Sequence, residues 1–288
     1  MSTVALVGAG GKMGCRITDN MKKQSAYRML HVEVAPAGLA NLAKRGVAAV
    51  AAAEAVPAAD FVVLAVPDNR VEAISAQVVP LMKAGAALVH LDPAAPCAGR
   101  VFKRADVAYF VTHPCHPPVF NDETDLDAKR DFFGGVKAKQ HIVCALLEGS
   151  EADYDRGVAL CTALFHPVIK AHRVSVEQMA ILEPALAETT SAPAVMLIKE
   201  GLDEAIRRGV PPAAAKAFLM GHINVQLAIT FGEIDTRYSD GALKMLAEAR
   251  AVLFKPDWKK VFEPEAVRAQ LESILGPGPG DAPSRREQ

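Results

Sequence analysis

A glycine-rich segment near the start of the chain, VALVGAGGKMG, constrains the possible folds more than any other feature of the sequence. It stands between an apolar, partly β-branched run at residues 3–7, which predicts a strand, and a helical pattern at residues 12–23. Glycine permits a tight turn between two such elements and lets backbone N–H groups approach a pyrophosphate, whose charge the N-terminus of the helix stabilises.

The spacing of these glycines matches GxxGxxG rather than GxGxxG, because Met13 stands at the last position of the second pattern. In this strand and helix context we predict a dinucleotide site, with a turn that binds no ligand as the alternative. The predicted cofactor-binding residues of the turn are Gly8, Gly10, Gly11, Lys12, Met13 and Gly14.

Glu33 determines whether the sequence predicts NAD or NADP as the cofactor. It lies at the end of the second predicted strand, residues 29–34, and about 20 residues after the glycine turn. A carboxylate there hydrogen-bonds the adenosine ribose and repels a 2′-phosphate, so we predict NAD; a solvated carboxylate at a strand end is the alternative. The apolar run at residues 60–66 ends in Val66 and Pro67, and the cofactor should pass this carboxyl end.

Strand and helix patterns alternate as far as residue 174, which predicts a Rossmann-type, mostly parallel sheet in an α/β domain. Residues 175–275 carry helical spacing with almost no strand pattern, so they predict an all-helical C-terminal domain. Pro184 and Pro193 should kink or interrupt its first long helix. The last residues, 276–288, lack apolar side chains that could dock, and we predict a disordered tail.

Composition excludes several classes of partner. The chain has 32 Lys and Arg residues against 33 Asp and Glu, a net charge of −1, which disfavours nucleic-acid binding. No apolar run approaches the ~20 residues that span a bilayer, and no secretory signal is present, so we expect no membrane partner and a cytoplasmic location. Five cysteines without a CxxC pair indicate reduced thiols.

The run DFVVLAVPDNRVEAISAQVVPLMKAGAALVHLD after the glycine turn resembles the 6-phosphogluconate and β-hydroxyacid dehydrogenase superfamily. The segments HPCHPPVFNDE, ALLEGSEADY, EPALAETTSAPA and GHINVQLAITFGE resemble the D-apionate oxidoisomerase family within it. This resemblance implies NAD-dependent oxidation of the branched sugar acid D-apionate, coupled to a carbon shift that gives 3-oxo-isoapionate. It also implies a homodimer formed by the helical domain.

One departure from the superfamily affects the chemistry. Its enzymes carry a lysine near the start of the long helix, whereas this chain has no lysine between Lys170 and Lys199 and has Glu183 and Glu188 instead. A proton-shuttling ammonium group is therefore missing where the superfamily has one.

A bound metal ion could polarise the substrate oxygens in place of the missing lysine. His116 lies in the proline-stiffened segment HPCHPP, Glu188 in an apolar part of the long helix, and His222 in an apolar helix. We predict that His116, Glu188 and His222 bind one divalent cation, Zn, Mn or Mg, with His116 and Glu188 as the catalytic residues. The alternatives for the histidines are a His–Pro turn with a satisfied side chain at His116 and a satisfied core histidine at His222. The alternatives for the function are a metal-independent dehydrogenase of another small hydroxy acid or a semialdehyde, and an NAD-binding protein without activity.

Overall fold

The computed structural model describes residues 1–277, which form two compact units. The first contains Met1–Glu183 and the described residues from Arg268 onward, and the second contains Pro184–Val267. The first unit extends past the predicted boundary at residue 174, because Val176 and Met179 are buried against Val111 of the sheet. Of the predicted tail, 276–288, the residues from 278 onward lie outside the part of the chain that the structure describes.

A seven-stranded sheet forms the first unit, in the order β2-β1-β3-β4-β5-β6-β7. Every neighbouring pair is parallel except β5 and β6. The strands are β1 (Ser2–Val7), β2 (Tyr27–Val32), β3 (Phe61–Leu64), β4 (Ala87–His90), β5 (Ala108–Pro114), β6 (Gln140–Glu148) and β7 (Val168–Arg173). The predicted fold class is confirmed, and the strand order reverses between β1 and β3, where ligands of such sheets bind.

The antiparallel pair is the main difference from the predicted sheet. Pro114, at the end of β5, lies opposite Ile142, near the start of β6. The connection between them therefore returns to the edge at which β5 ends, whereas a parallel strand requires a crossover to the opposite edge. The only helix that the structure describes in this connection is the short α6.

Helices cover both faces of the sheet. On one face, Ile17 and Met21 of the first helix and Leu160 and Leu164 of the seventh pack in one core with strand residues such as Val63. On the other face, Val176 and Met179 of the eighth helix pack against Val111. The continuous apolar strands are explained by this double covering. The helices of the first unit are α1 (Lys12–Met21), α2 (Pro36–Ala43), α3 (Ala52–Ala58), α4 (Asp68–Val78), α5 (Ala94–Cys97), α6 (Leu126–Arg130), α7 (Glu151–Leu164) and α8 (Val176–Ala180).

The second unit is helical, as predicted. Its first segment is a π-helix, Ile181–Ser191, which begins in the first unit and contains Pro184. Proline lacks the N–H that an α-helix uses, so the widened turns accommodate the predicted interruption. The further helices are α9 (Ala192–Arg207), α10 (Pro212–Thr230), α11 (Asp240–Leu253) and α12 (Pro264–Leu275), the last of which ends in the first unit.

Within residues 1–277, no helix combines the length and the apolar character that crossing a membrane requires. All five cysteines of the chain lie in this described range as free thiols, and Cys15, Cys144 and Cys161 are buried.

Candidate functional site

The turn between β1 and α1 requires glycine for two different reasons. Gly8 has φ +80°, and a Cβ atom there would lie 2.4 Å from the backbone oxygen of Ala65, at the end of β3. Gly14 is helical, but its Cβ would lie 2.3 Å from the backbone oxygen of Gly8. The first glycine therefore permits the turn, and the last lets the helix pack closely on the strand.

Beside this turn lies a cavity of about 350 Å³. One wall is the start of α1, where the N-cap residue Gly11 leaves the first N–H groups of the helix without a side-chain cap. The carboxyl ends of β3 and β4 form the other walls. The lining residues are Gly11, Lys12, Met13, Leu64, Ala65, Val66, Pro67, Asp68, Val71, His90, Leu91 and Asp92.

Glu33 lies one residue after β2. One of its carboxylate oxygens accepts a hydrogen bond from Gly10 N–H at 2.9 Å, and the other accepts bonds from Val34 and Ala35 N–H, both at 2.8 Å. The carboxylate is therefore held against the glycine turn, on the side of β1 away from β3.

A second group of polar side chains surrounds His113, in β5. Its Nδ1 atom lies 3.0 Å from the backbone oxygen of Leu91 and 3.8 Å from Oδ2 of Asp92. Its Nε2 atom lies 3.3 Å from Oε2 of Glu183. Because a carbonyl oxygen only accepts hydrogen bonds, the proton of a neutral His113 ring resides on Nδ1, and Nε2 carries the lone pair.

Two carboxylates at this edge have raised pKa values. Burial, the carboxylate of Asp68 and that of Glu183 raise the pKa of Asp92 to about 7, against the opposing effects of the Ala94 N–H and His113. Burial also raises the pKa of Asp68, and Glu183 adds to this. The edge therefore brings several carboxyl groups together in partly buried surroundings, where burial and each neighbouring carboxylate disfavour the ionised form.

His90, at the end of β4, lines the same cavity and is only 1% exposed. Neither ring nitrogen has a hydrogen-bond partner among the described residues. Burial lowers the pKa of His90 to about 3, so the ring is neutral at physiological pH.

The predicted metal ligands lie in different units. His116 belongs to the first unit, while Glu188 and His222 belong to the second and are exposed, contrary to the expected buried settings. Nδ1 of His116 donates to Phe133 O at 3.0 Å, and Nδ1 of His222 donates to Phe218 O at 2.8 Å. Both rings then present Nε2 as a possible ligand, but the shared site stays a prediction.

His116 also has φ 62°, a left-handed conformation that is uncommon outside glycine and asparagine. Its ring lies 6.3 Å from that of His113, centroid to centroid, in an edge-on contact. The loop after β5 thus brings the ring of His116 back to that of His113, near the end of the same strand.

Sequence reasoning missed the cluster of Asp92, His113 and Glu183. The position of these residues in the sequence could have indicated the cluster. Asp68, Asp92 and His113 lie at or just after the carboxyl ends of β3, β4 and β5, which are neighbours in the sheet. In the sequence, Glu183 stands out only as a replacement for the missing lysine.

The two halves of the chain match two described families. Residues 1–117 match the family described as acetohydroxy acid isomeroreductase, NADPH-binding domain. Residues 121–275 match the family described as phosphogluconate dehydrogenase (decarboxylating) C-term.

Curated relatives cover almost the full length. A D-apionate oxidoisomerase from Rhizobium rhizogenes is 46% identical over 95% of this chain and 100% of the relative. One from Cupriavidus necator is 44% identical over 94% of this chain and 98% of the relative.

A crystal structure from Cupriavidus necator is described as a semialdehyde dehydrogenase NAD-binding protein in complex with calcium and NAD. It aligns with a TM-score of 0.93 and 43% identity, over 95% of this chain and 99% of that chain. With the curated relatives, these similarities confirm the resemblance seen in the sequence. The chain belongs to the D-apionate oxidoisomerase family.

Proposed function

We propose that this chain is an NAD-dependent oxidoreductase that acts on D-apionate and couples its oxidation to a carbon shift, giving 3-oxo-isoapionate. The observation that carries the proposal is the near full-length identity of 46% with a D-apionate oxidoisomerase. The cavity beside the glycine turn supplies the place where such an enzyme would bind its cofactor.

The residues around this cavity fit NAD. The uncapped start of α1 offers N–H groups to a pyrophosphate, and the glycines leave room for its close approach. We place the adenosine ribose at Glu33, whose oxygens already face the glycine turn, and the nicotinamide beyond Val66 and Pro67. Bound NAD accepts a hydride from the carbinol carbon, and the hydroxyl proton must pass to a base.

The oxidised carbon and the migrating group must be held together during the carbon shift. A divalent cation holds and polarises neighbouring hydroxyl and carbonyl oxygens, which fits this chemistry. We keep His116, Glu188 and His222 as the ligand set that the sequence predicts, with His116 and Glu188 as the residues that contact the substrate. The Nε2 lone pairs of the two imidazoles support this assignment.

The semialdehyde alternative requires a nucleophilic thiol. Cys115, next to His116, is exposed as a residue. Partial burial of its sulfur, followed by the neighbouring Cys144 and Glu183, nevertheless raises the pKa of the Cys115 thiol. A thiol with a raised pKa is mostly protonated at neutral pH and is a poor nucleophile. This observation favours oxidation of a hydroxyl group.

We also propose a homodimer formed by the second unit. No residue of α9 or α11 is buried in the described chain, although both helices carry many apolar side chains. An apolar cavity of about 540 Å³ lies between α9 and α10, lined by residues such as Ile198, Leu202 and Phe218. A second copy of the unit would cover this surface.

The experiment that tests the function is incubation of the purified protein with NAD and a panel of sugar acids, with and without a chelator. NADH formation with D-apionate, together with 3-oxo-isoapionate as product, supports the proposal. NADH formation that a chelator leaves unchanged excludes the cation, and no NADH with any sugar acid excludes the oxidation. Replacing Glu188 with Gln should lower metal content and turnover while NAD binding is retained, because the anionic ligand is lost.

A further inference from the structure

We propose that Asp92, His113 and Glu183 bind one divalent cation at the edge of the cofactor cavity, as a ligand set that competes with the one predicted from the sequence. Each residue offers one donor atom, and the three atoms lie within 4.8 Å of one another. Among the described residues, this is the group of potential ligands that the fold of the first unit brings together. The inference uses the proposed function only for the role of the ion.

The hydrogen bonding of the His113 ring supports a metal ion at this position. Its Nδ1–H donates to Leu91 O, so in the neutral ring the Nε2 lone pair faces a carboxylate oxygen of Glu183 only 3.3 Å away. Two lone pairs at that distance repel, and either a proton on Nε2 or a metal ion between the two atoms removes the repulsion. Two ligands bound at about 2.1 Å with a tetrahedral angle lie about 3.4 Å apart, so the separation suits a shared metal ion. The backbone oxygen of Leu91 would also hold the ring in the tautomer that ligates.

The carboxylates around His113 also favour a bound cation. The side chains of Asp92, His113 and Glu183 are 25%, 21% and 23% exposed, so their charges are only partly hydrated. Within the described part of the chain, the ion pairs of Asp92 and Glu183 are both with His113. Asp68 adds a third carboxylate close enough to affect Asp92. A divalent cation would neutralise charge that one imidazole does not balance.

His90 is an independent sign that the cavity takes a polar ligand. It is almost completely inaccessible, lines the cavity together with Asp92, and has two ring nitrogens without a partner among the described residues. Buried polar atoms normally have a hydrogen-bond partner, so a ligand or its bound water would satisfy His90.

The donor set favours some ions over others. One imidazole nitrogen and two carboxylate oxygens suit Mn²⁺ or Zn²⁺, whereas Ca²⁺ takes six to eight oxygen ligands. Three protein ligands leave positions open, as in catalytic metal sites, and vicinal oxygens of a sugar acid would fill them. We therefore expect Mn²⁺ to bind this site more tightly than Ca²⁺.

The test measures metal binding and not activity. Full-length protein, stripped of metal and supplied with NAD, is titrated with Mn²⁺ while the free ion is followed by electron paramagnetic resonance. We expect Asp92→Asn and Glu183→Gln to weaken Mn²⁺ binding by more than about 100-fold, because each loses an anionic ligand. NAD affinity and the melting temperature report that these variants remain folded. The matched control is Asp60→Asn, because Asp60 pairs with Lys83 outside the cavity.

Three outcomes overturn the site: wild-type protein that binds no Mn²⁺ or Zn²⁺, folded Asp92→Asn and Glu183→Gln variants that bind like wild type, or a loss of binding in Glu188→Gln alone. The last outcome would assign the ion to His116, Glu188 and His222. Visible absorption of bound Co²⁺ that changes in Glu183→Gln and not in Glu188→Gln supports the site. Wild-type protein that binds Mn²⁺ but does not oxidise D-apionate would leave the site standing and remove the proposed function.

Discussion

The carboxylate of Glu33 accepts a hydrogen bond from the backbone N–H of Gly10 across 2.9 Å. This contact joins the end of β2 to the glycine turn after β1, the two segments that would hold the adenosine half of the cofactor. The same carboxylate accepts bonds from Val34 and Ala35 N–H. Glu33 therefore shapes the turn by itself, and in the proposed cofactor site its charge would repel the 2′-phosphate of NADP.

Replacing Glu33 with Gln should raise the KM for NAD about tenfold and reduce discrimination against NADP, because one anionic oxygen is replaced by an amide. Turnover at saturating NAD should change little. Steady-state kinetics with both cofactors measure this, with Glu54→Gln on α3 as the control. Equal KM values for NAD in the wild type and Glu33→Gln, or a wild-type preference for NADP, would contradict the role of Glu33.

Replacing Gly8 with Ala should destabilise the protein by about 3 kcal/mol or more and abolish NAD binding. The left-handed backbone alone costs about 1–2 kcal/mol, and the new Cβ would overlap the backbone of Ala65. Gly46 is the matched control, because it has φ +66° but a Cβ added there would meet no atom of the described chain within 4 Å. Gly46→Ala should therefore lose only the free energy that the left-handed backbone costs, without the steric overlap. Urea unfolding and NAD titration measure both variants, and equal losses of stability would argue against the close approach.

Stability should fall as the pH drops through the histidine range, in part because of the pair formed by His141 and His172. Nε2 of His172 lies 2.9 Å from Nδ1 of His141, and one ring must accept the shared hydrogen bond. Burial, His141 and Lys170 lower the pKa of His172, so the unfolded chain binds more protons than the folded one between the two pKa values. This contribution is present above the unfolded pKa and is lost as the pH falls toward the folded pKa.

His172→Gln keeps a polar atom near the position of Nε2 but cannot titrate. Urea midpoints at pH 8 and pH 5.5, about one unit or more on either side of the usual histidine pKa, should therefore differ less in this variant than in the wild type. An unchanged difference would mean that the pair contributes nothing to acid sensitivity.

Replacing Phe218 with Glu should convert the proposed dimer into a monomer. Phe218 is 70% exposed and lines the apolar cavity between α9 and α10, so a charge there would be buried if a second copy covers it. Phe132 of the first unit is 77% exposed, and Phe132→Glu should leave the assembly unchanged. Light scattering coupled to size-exclusion chromatography measures the mass. A wild-type monomer, or a dimer that survives Phe218→Glu, would exclude this interface.

The sequence by itself determined the class of fold, the glycine turn and the family. These features depend on local information: the spacing of glycines, alternating strand and helix periods, and long segments shared with relatives. The helical second half could also be predicted from its helical spacing. The interruption at Pro184 was predictable because proline lacks the N–H that an α-helical hydrogen bond needs, whatever the helix packs against.

Only the tertiary structure decided which polar side chains meet. Asp92, His113 and Glu183 are far apart in the chain, and strand order places the first two at one edge while the packing of α8 on the sheet delivers the third. The antiparallel β6 was hidden for the same reason, because strand direction depends on where the connection returns and not on the residues within the strand. Periodicity describes each element alone, whereas proximity between elements arises from packing them together.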